Sequence, residues 1–148
     1  METLPDVTAI DAEDRPLPLV SLPRPLVVYF YPKDDTAGCT REAQDFSALA
    51  GAFADAGVTV VGISRDDPAR HRRFAAKHGL TVMLASDSDG SVTEAFGVWG
   101  EKQLYGRTYM GIERATFLFG RDGRLVRAWR KVKVPGHAEA VLEDARAL

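Results

Sequence analysis

The sequence predicts a three-layer α/β domain built on a mixed β-sheet, and three observations carry that prediction. Leu26-Val27-Val28-Tyr29-Phe30-Tyr31 is an unbroken apolar run, rich in β-branched and aromatic residues, as in a strand covered on both faces. Helix-period positions follow it, and then a second run at Val58-Thr59-Val60-Val61-Gly62-Ile63-Ser64. Such a strand–helix–strand unit has parallel strands and a right-handed crossover. Two later runs flank Gly120-Arg121-Asp122-Gly123-Arg124, whose Asp-Gly step signals a hairpin and therefore antiparallel strands.

In chain order, the Pro- and Asp-rich stretch before Leu26 reads as an arm or a short edge hairpin around Leu17–Leu22. Pro32 ends the first core strand, because proline cannot donate to the ladder. Cys39, Ala43, Phe46, Leu49, Ala50 and Phe53 then recur at helical spacing, with Thr36 as the expected N-cap and Gly57 as the stop. Asp67-Pro68 opens a second helix that stops at Gly79. Thr81–Ala85 reads as a short strand, Asp87–Gly90 as a turn and Ser91–Phe96 as a short helix. The segment Gly97–Gly111 reads as irregular, with Trp99, Tyr105 and Tyr109 packed on the sheet. Ala115–Phe119 and Leu125–Trp129 form the hairpin, and a last helix runs from about Gly136 to Ala147. The order is compatible with a thioredoxin-like architecture, spanning residues 1–148 as one domain.

The 148 residues are 45% hydrophobic and 27% charged, with a net charge of −2. That balance argues against nucleic acid or an anionic membrane as partner. The basic stretch Arg127–Lys133 alternates with apolar residues, as the solvated face of a strand does. No apolar run is long enough to span a bilayer, and Met1–Val20 lacks the pattern of a signal peptide. Together with a single unpaired cysteine, this makes the cytoplasm the expected compartment. The three histidines, His71, His78 and His137, show no ligand spacing with the one cysteine and read as surface residues, so no metal is expected. Asp34-Asp35 and Asp66-Asp67 fall at element boundaries, where acids serve turns and caps. No phosphate-binding glycine motif and no Gly-x-Ser-x-Gly elbow is present.

Cys39 is the residue left to carry chemistry. A free cysteine on an apolar helical stripe often acts only as a small buried hydrophobe. This one sits in the first turn of its helix, where unpaired N–H groups and the helix dipole favour a thiolate. It also follows a loop at the C-terminal end of a central strand, where α/β proteins bind ligands. The Thr36 hydroxyl could cap the helix or hold a substrate oxygen beside the sulfur.

The run Phe30-Tyr31-Pro32-Lys33-Asp34-Asp35-Thr36-Ala37-Gly38-Cys39-Thr40 resembles the active-site signature of the peroxiredoxins, in their bacterioferritin-comigratory or Q-type branch. Pro32, Thr36 and Cys39 match its Pro-x-x-x-Thr-x-x-Cys core. The likeness continues through Tyr105-Gly106-Arg107, Tyr109–Phe117 and Trp129–Glu139. It implies a thioredoxin-like fold and a thiol-dependent peroxidase acting on hydrogen peroxide and organic hydroperoxides, with no cofactor. On that resemblance Cys39 is the peroxidatic nucleophile and forms a sulfenic acid. Arg114 favours the thiolate and binds the peroxide, Thr36 holds the peroxide, and Pro32 shields the sulfur. The Gly38 and Cys39 amides stabilise charge on oxygen, and Glu42 ties the arginine to the loop.

Two departures stand out. Ala37 replaces a proline of the signature, which loosens the loop without removing a catalytic group. The positions where relatives carry a resolving cysteine hold Gln44 and Ala75, and no second cysteine exists. The resemblance therefore implies a one-Cys enzyme, monomeric or weakly dimeric, recycled by an external thiol such as thioredoxin, glutaredoxin or glutathione. A thioredoxin-type disulfide oxidoreductase needs Cys-x-x-Cys, where this chain has Thr36-Ala37-Gly38-Cys39. A redox sensor that passes its oxidation to a partner would use the same cysteine and differs by not turning over.

Overall fold

The computed structural model describes residues 1–148. In it, every residue of the first apolar run, strand β3 (Leu26–Phe30), is buried. The side chains divide by parity. Leu26, Val28 and Phe30 enter one apolar cluster, whereas Val27, Tyr29 and Tyr31 enter another on the opposite face. The remaining strands are β1 (Thr8–Asp11), β2 (Pro16–Pro18), β4 (Thr59–Ser64), β5 (Met83–Ser86), β6 (Trp99–Leu104), β7 (Arg107–Ile112), β8 (Ala115–Phe119) and β9 (Leu125–Trp129). The helices are α1 (Ala37–Ala48), α2 (Ala50–Asp55), α3 (Pro68–His78), α4 (Ser91–Ala95) and α5 (His137–Arg146).

Seven strands make one sheet in the order β2-β1-β5-β4-β3-β8-β9. β3 and β4 are parallel, β4 and β5 are parallel, and β8 pairs antiparallel with β3, so the sheet is mixed as the sequence predicts. Its two faces are covered differently. Phe46, Phe53, Phe74, Val141 and Leu142, from α1, α2, α3 and α5, pack together on one side. The other side is closed by α4, the 3-10 turn at Leu19–Ser21, the N-terminal arm and the root of β6–β7. One glycine is required by this packing. Gly62 faces Tyr29 across the parallel register, and a Cβ there would lie 2.4 Å from the tyrosine ring. No helix is long and apolar enough to cross a membrane.

Several boundaries differ from expectation for identifiable reasons. The edge hairpin is β1–β2, and Leu19–Ser21 turns into the core instead of extending. The first long helix breaks at Leu49 into α1 and α2, and the chain then turns at Gly57, where φ is 74°. The fifth strand begins at Met83, two residues later than read. Asp67 caps α3 as expected, accepting from the Arg70 amide at 2.8 Å, and Gly79 ends it with φ 62°.

The largest correction is at Gly97–Gly111, which is a regular hairpin, β6–β7. Its tight turn is Tyr105-Gly106, with φ of 52° and 77°, a conformation usually signalled by Asn-Gly or Asp-Gly. Trp99 does pack against the core, but Tyr105 is 96% exposed and Tyr109 also faces solvent. The histidine reading is corrected as well. His71 and His137 are buried and only His78 lies near the surface.

Candidate active site

The register of β3 with β8 places Phe30 opposite Ala115, so the end of β3 and the start of β8 lie side by side. Pro32 follows the one and Arg114 precedes the other. The Arg114 carbonyl also accepts from the Val132 amide at 3.0 Å, which fixes its backbone beside the segment after β9. From there its side chain reaches back over the first turn of α1.

Cys39 is the third residue of α1 and is 1% exposed. Arg114 Nη2 donates to its Sγ at 3.4 Å, and Nη1 donates to Glu42 Oε1 at 2.6 Å. Glu42 lies three residues after Cys39, so both side chains project from one face of the helix. Gly38 completes the close approach: a Cβ at that position would stand 3.2 Å from Arg114 Nη2. The amides of Gly38 and Cys39 belong to the first helical turn and have no partner within the helix.

Thr36 occupies the N-cap position in extended conformation, yet its hydroxyl does not cap the helix. It donates to the Lys33 carbonyl at 2.9 Å, across the loop. Thr36 is thus the N-cap residue that the sequence predicts, but without a side-chain capping bond. With its proton committed, this oxygen has only acceptor capacity left to offer.

The electrostatics of Glu42 follow from burial. Removal from water pushes its carboxyl up to about 7, against the opposing pull of Arg114. Its Oε2 is buried with no hydrogen-bond partner. Burial disfavours the Arg114 cation, but Glu42 and Cys39 outweigh that and raise it. Behind Arg114, Thr116 and His137 pair at 2.7 Å, and burial followed by the Arg114 charge lowers His137 to about 4.

The structure thus gathers Cys39, Glu42, Arg114 and Gly38 at one point, with Pro32 and Arg114 forming a wall of a neighbouring cleft of about 510 Å³. The opposite wall is β6, and Lys102 and Lys131 also line it. Lys102 Nζ donates to the Ile112 carbonyl at 2.9 Å; burial and the nearby Arg114 both lower its pKa. Sequence reasoning missed Lys102, because nothing local marks a lysine in an unrecognised hairpin. It also missed a polar cluster beside the loop. Asp34 accepts from Tyr31 at 2.5 Å and lies 2.6 Å from His71 Nδ1, while His71 Nε2 meets the Ala85 carbonyl at 3.0 Å.

Comparison with known proteins bears directly on this geometry. Residues 1–128 match the family described as AhpC/TSA. Peroxiredoxin Bcp of Xanthomonas campestris pv. campestris is 52% identical over 122 residues, covering 82% of this chain and 76% of that protein. Peroxiredoxin Bcp of Bacillus subtilis is 46% identical over 121 residues, covering 82% and 77%. Among solved structures, the Xanthomonas campestris bacterioferritin comigratory protein, described for its alkyl peroxide reduction activity, superimposes with a TM-score of 0.89 at 45% identity, covering 96% of this chain and 91% of that one. A cysteine-to-serine mutant of Xylella fastidiosa PrxQ gives a TM-score of 0.91 at 43% identity, covering 98% and 93%.

Proposed function

This chain belongs to the AhpC/TSA family, among the peroxiredoxins of thioredoxin-like fold, and from that premise we propose that it reduces peroxides through a sulfenic acid on Cys39 that an external thiol recycles. The observation that carries the reading is the 3.4 Å contact between Arg114 Nη2 and Cys39 Sγ, made by an arginine that also walls the open cleft. Arginine keeps its charge at any working pH, so one fixed cation faces both the attacking sulfur and the place where negative charge grows on the peroxide oxygen.

In the first half-reaction the Cys39 thiolate attacks one oxygen of a hydroperoxide. An S–O bond forms, the O–O bond breaks, and the departing oxygen leaves as water or an alcohol after taking a proton. Donors and acceptors are arranged to suit the substrate. Arg114 and the free amides of Gly38 and Cys39 stabilise the charge that grows on oxygen. The Thr36 oxygen, whose own O–H donates to the Lys33 carbonyl, accepts from the hydroperoxide O–H. Pro32 shields the sulfur, and Glu42 positions the arginine through the bond at 2.6 Å.

No second cysteine is present to close an intramolecular disulfide. The sulfenic acid is therefore attacked by an outside thiol, forming a mixed disulfide and releasing water. A second thiol then attacks the partner's sulfur, restoring Cys39 and leaving the partner oxidised. Thioredoxin, glutaredoxin and glutathione all have the required chemistry. The alkyl peroxide reduction described for the Xanthomonas protein makes organic hydroperoxides reasonable substrates beside hydrogen peroxide.

The test is peroxide consumption with each reductant in turn. Wild-type protein should consume many equivalents per chain and Cys39→Ser none. Undiminished turnover by Cys39→Ser would overturn the proposal, and consumption limited to one equivalent would make the protein a sensor.

A further inference from the structure

The β6–β7 hairpin stands apart from the main sheet, held at its root by Trp99 and Ile112, which pack in the core. Its free end has an unusual surface for a hairpin tip. Leu104 is 54% exposed, Tyr105 96%, and Tyr109 is also exposed. Cross-strand pairing puts Lys102 opposite Tyr109 and Leu104 opposite Arg107, so these four side chains share one face. Lys102 on that face lines the cleft together with Arg114 and Pro32, so the hairpin surface runs into the cleft walled by the arginine that contacts Cys39.

The charge of this region runs against that of the whole chain. The protein carries −2 overall, yet Lys102, Arg107 and Lys131 have no carboxylate within ion-pair distance. Of the two acids lining the cleft, Glu113 is held by Arg130 at 2.8 Å, which leaves Glu101 alone to offset those cations. Exposed tyrosines and a leucine, with Arg107 and Lys102 on the same hairpin and Lys131 in the adjoining cleft, make a surface complementary to an apolar patch bordered by acids. A small thiol has no use for such an extended surface, whereas a folded protein has.

We infer that the β6–β7 hairpin face is the docking surface for an acidic protein dithiol, which delivers its thiol to oxidised Cys39 from the cleft side. The inference rests on the peroxidase reading for its chemistry. Tyr105 and Tyr109 supply the buried anchors of the complex, and Arg107, Lys102 and Lys131 steer the partner. Arg114, which touches the sulfur and lines the cleft, marks where the partner's thiol arrives. The exchange itself is the one written above: the partner's first sulfur bonds to Cys39 Sγ as the sulfenic oxygen leaves as water, and its second sulfur then attacks the first, breaking the mixed disulfide, releasing Cys39 as the thiol and leaving the partner as a disulfide.

The experiment compares wild type with Tyr105→Ser/Tyr109→Ser and Arg107→Glu, using reduced thioredoxin of acidic isoelectric point and dithiothreitol as alternative reductants. Each variant should lower kcat/KM for thioredoxin by about 10-fold, with dithiothreitol turnover and the rate of Cys39 oxidation by hydrogen peroxide unchanged. The wild-type constant for thioredoxin should fall with added salt, and less steeply in Arg107→Glu. Unchanged thioredoxin kinetics in both variants, or an equal loss with dithiothreitol, would overturn the inference. A second arm measures binding of reduced thioredoxin to the Cys39→Ser protein by titration. Weaker binding by the same hairpin variants supports the surface even where no peroxide is consumed, so the docking inference and the peroxidase reading fail separately.

Discussion

Two buried carboxylates flank the loop that presents Cys39, and they are treated in opposite ways. Asp34 has both oxygens engaged, one by Tyr31 and the other by His71, and its amide donates to Asp66 at 2.8 Å. His71 in turn gives its other ring nitrogen to the Ala85 carbonyl, so loop, α3 and β5 are joined by one satisfied network. Glu42 has only one oxygen engaged, by Arg114, and its second is orphaned. A satisfied network of buried polar groups rigidifies and specifies a structure. An incompletely satisfied one, holding a carboxyl at about 7 beside a thiol, is where charge can change during a reaction. The contrast separates a scaffold side of the loop from a reactive side.

The sharpest way to break that contrast is to remove the cation of the reactive side. Arg114→Met keeps the length of the side chain but takes away the donors to Cys39 and Glu42. The rate of Cys39 oxidation by hydrogen peroxide, followed by stopped-flow fluorescence, should fall by about 10²–10³-fold, the usual cost of losing an oxyanion-type donor. Removing His71 should do the reverse. His71→Leu strips Asp34 of one of its two partners inside the protein and should cost about 3 kcal/mol in urea unfolding. Its oxidation rate should change far less than that of Arg114→Met. Equal kinetic losses in the two variants would erase the distinction between scaffold and reaction.

pH sharpens the comparison further, because two groups around Arg114 are displaced in opposite directions. Glu42 is raised from 4.5 to about 7, chiefly by burial. Its contribution to stability is complete below pH 4.5 and is lost as pH rises through 7. His137 is lowered from 6.5 to about 4, again chiefly by burial. Its contribution is complete above pH 6.5 and is lost as pH falls through 4. Between about pH 4.5 and 6.5 the two slopes oppose each other, so the wild-type profile should be nearly flat. Glu42→Gln should expose a loss of stability toward acid, and His137→Gln a gain, each on the order of 2 kcal/mol across the window. Parallel profiles in the two variants, measured by denaturant unfolding at fixed pH values, would refute this pairing.

The reactive side was more legible in the sequence than the scaffold side, for physical reasons. Cys39 stood out because local pattern alone placed it in a first helical turn after a buried strand. Arg114 and Glu42 were reached by resemblance, since no local rule shows that residues 72 apart in sequence meet through the β3–β8 register. His71 looked like a surface residue because its neighbours on α3 are mostly polar. Its burial depends on Asp34, 37 residues away, and on a carbonyl of β5. Thr36 shows the limit of capping rules: the residue type and position were right, but its hydroxyl found the Lys33 carbonyl instead. The hairpin was missed because Tyr105 takes a positive φ that sequence rules assign to Asn, Asp or Gly.

The smallest effect gives the cleanest discrimination, because it uses one residue type on both sides. Tyr29 and Tyr31 project from the same face of the sheet and are both buried, with ring centroids 5.7 Å apart. The Tyr31 hydroxyl donates to Asp34 on the scaffold side, whereas the Tyr29 hydroxyl is buried without a partner. Burial raises the ionisation of Tyr29 well above its ordinary range, and the charge of Glu42 adds to that, so the hydroxyl stays neutral. Deleting it removes a desolvated group and orphans nothing. Tyr29→Phe should leave stability unchanged or raise it by up to about 1 kcal/mol, while Tyr31→Phe should cost about 1–2 kcal/mol by leaving Asp34 short of a donor. The two replacements delete the same atom from neighbouring positions, so the difference between their urea midpoints isolates hydrogen-bond satisfaction from packing. Equal midpoints would mean that the Asp34 network does not stabilise the loop as its geometry implies.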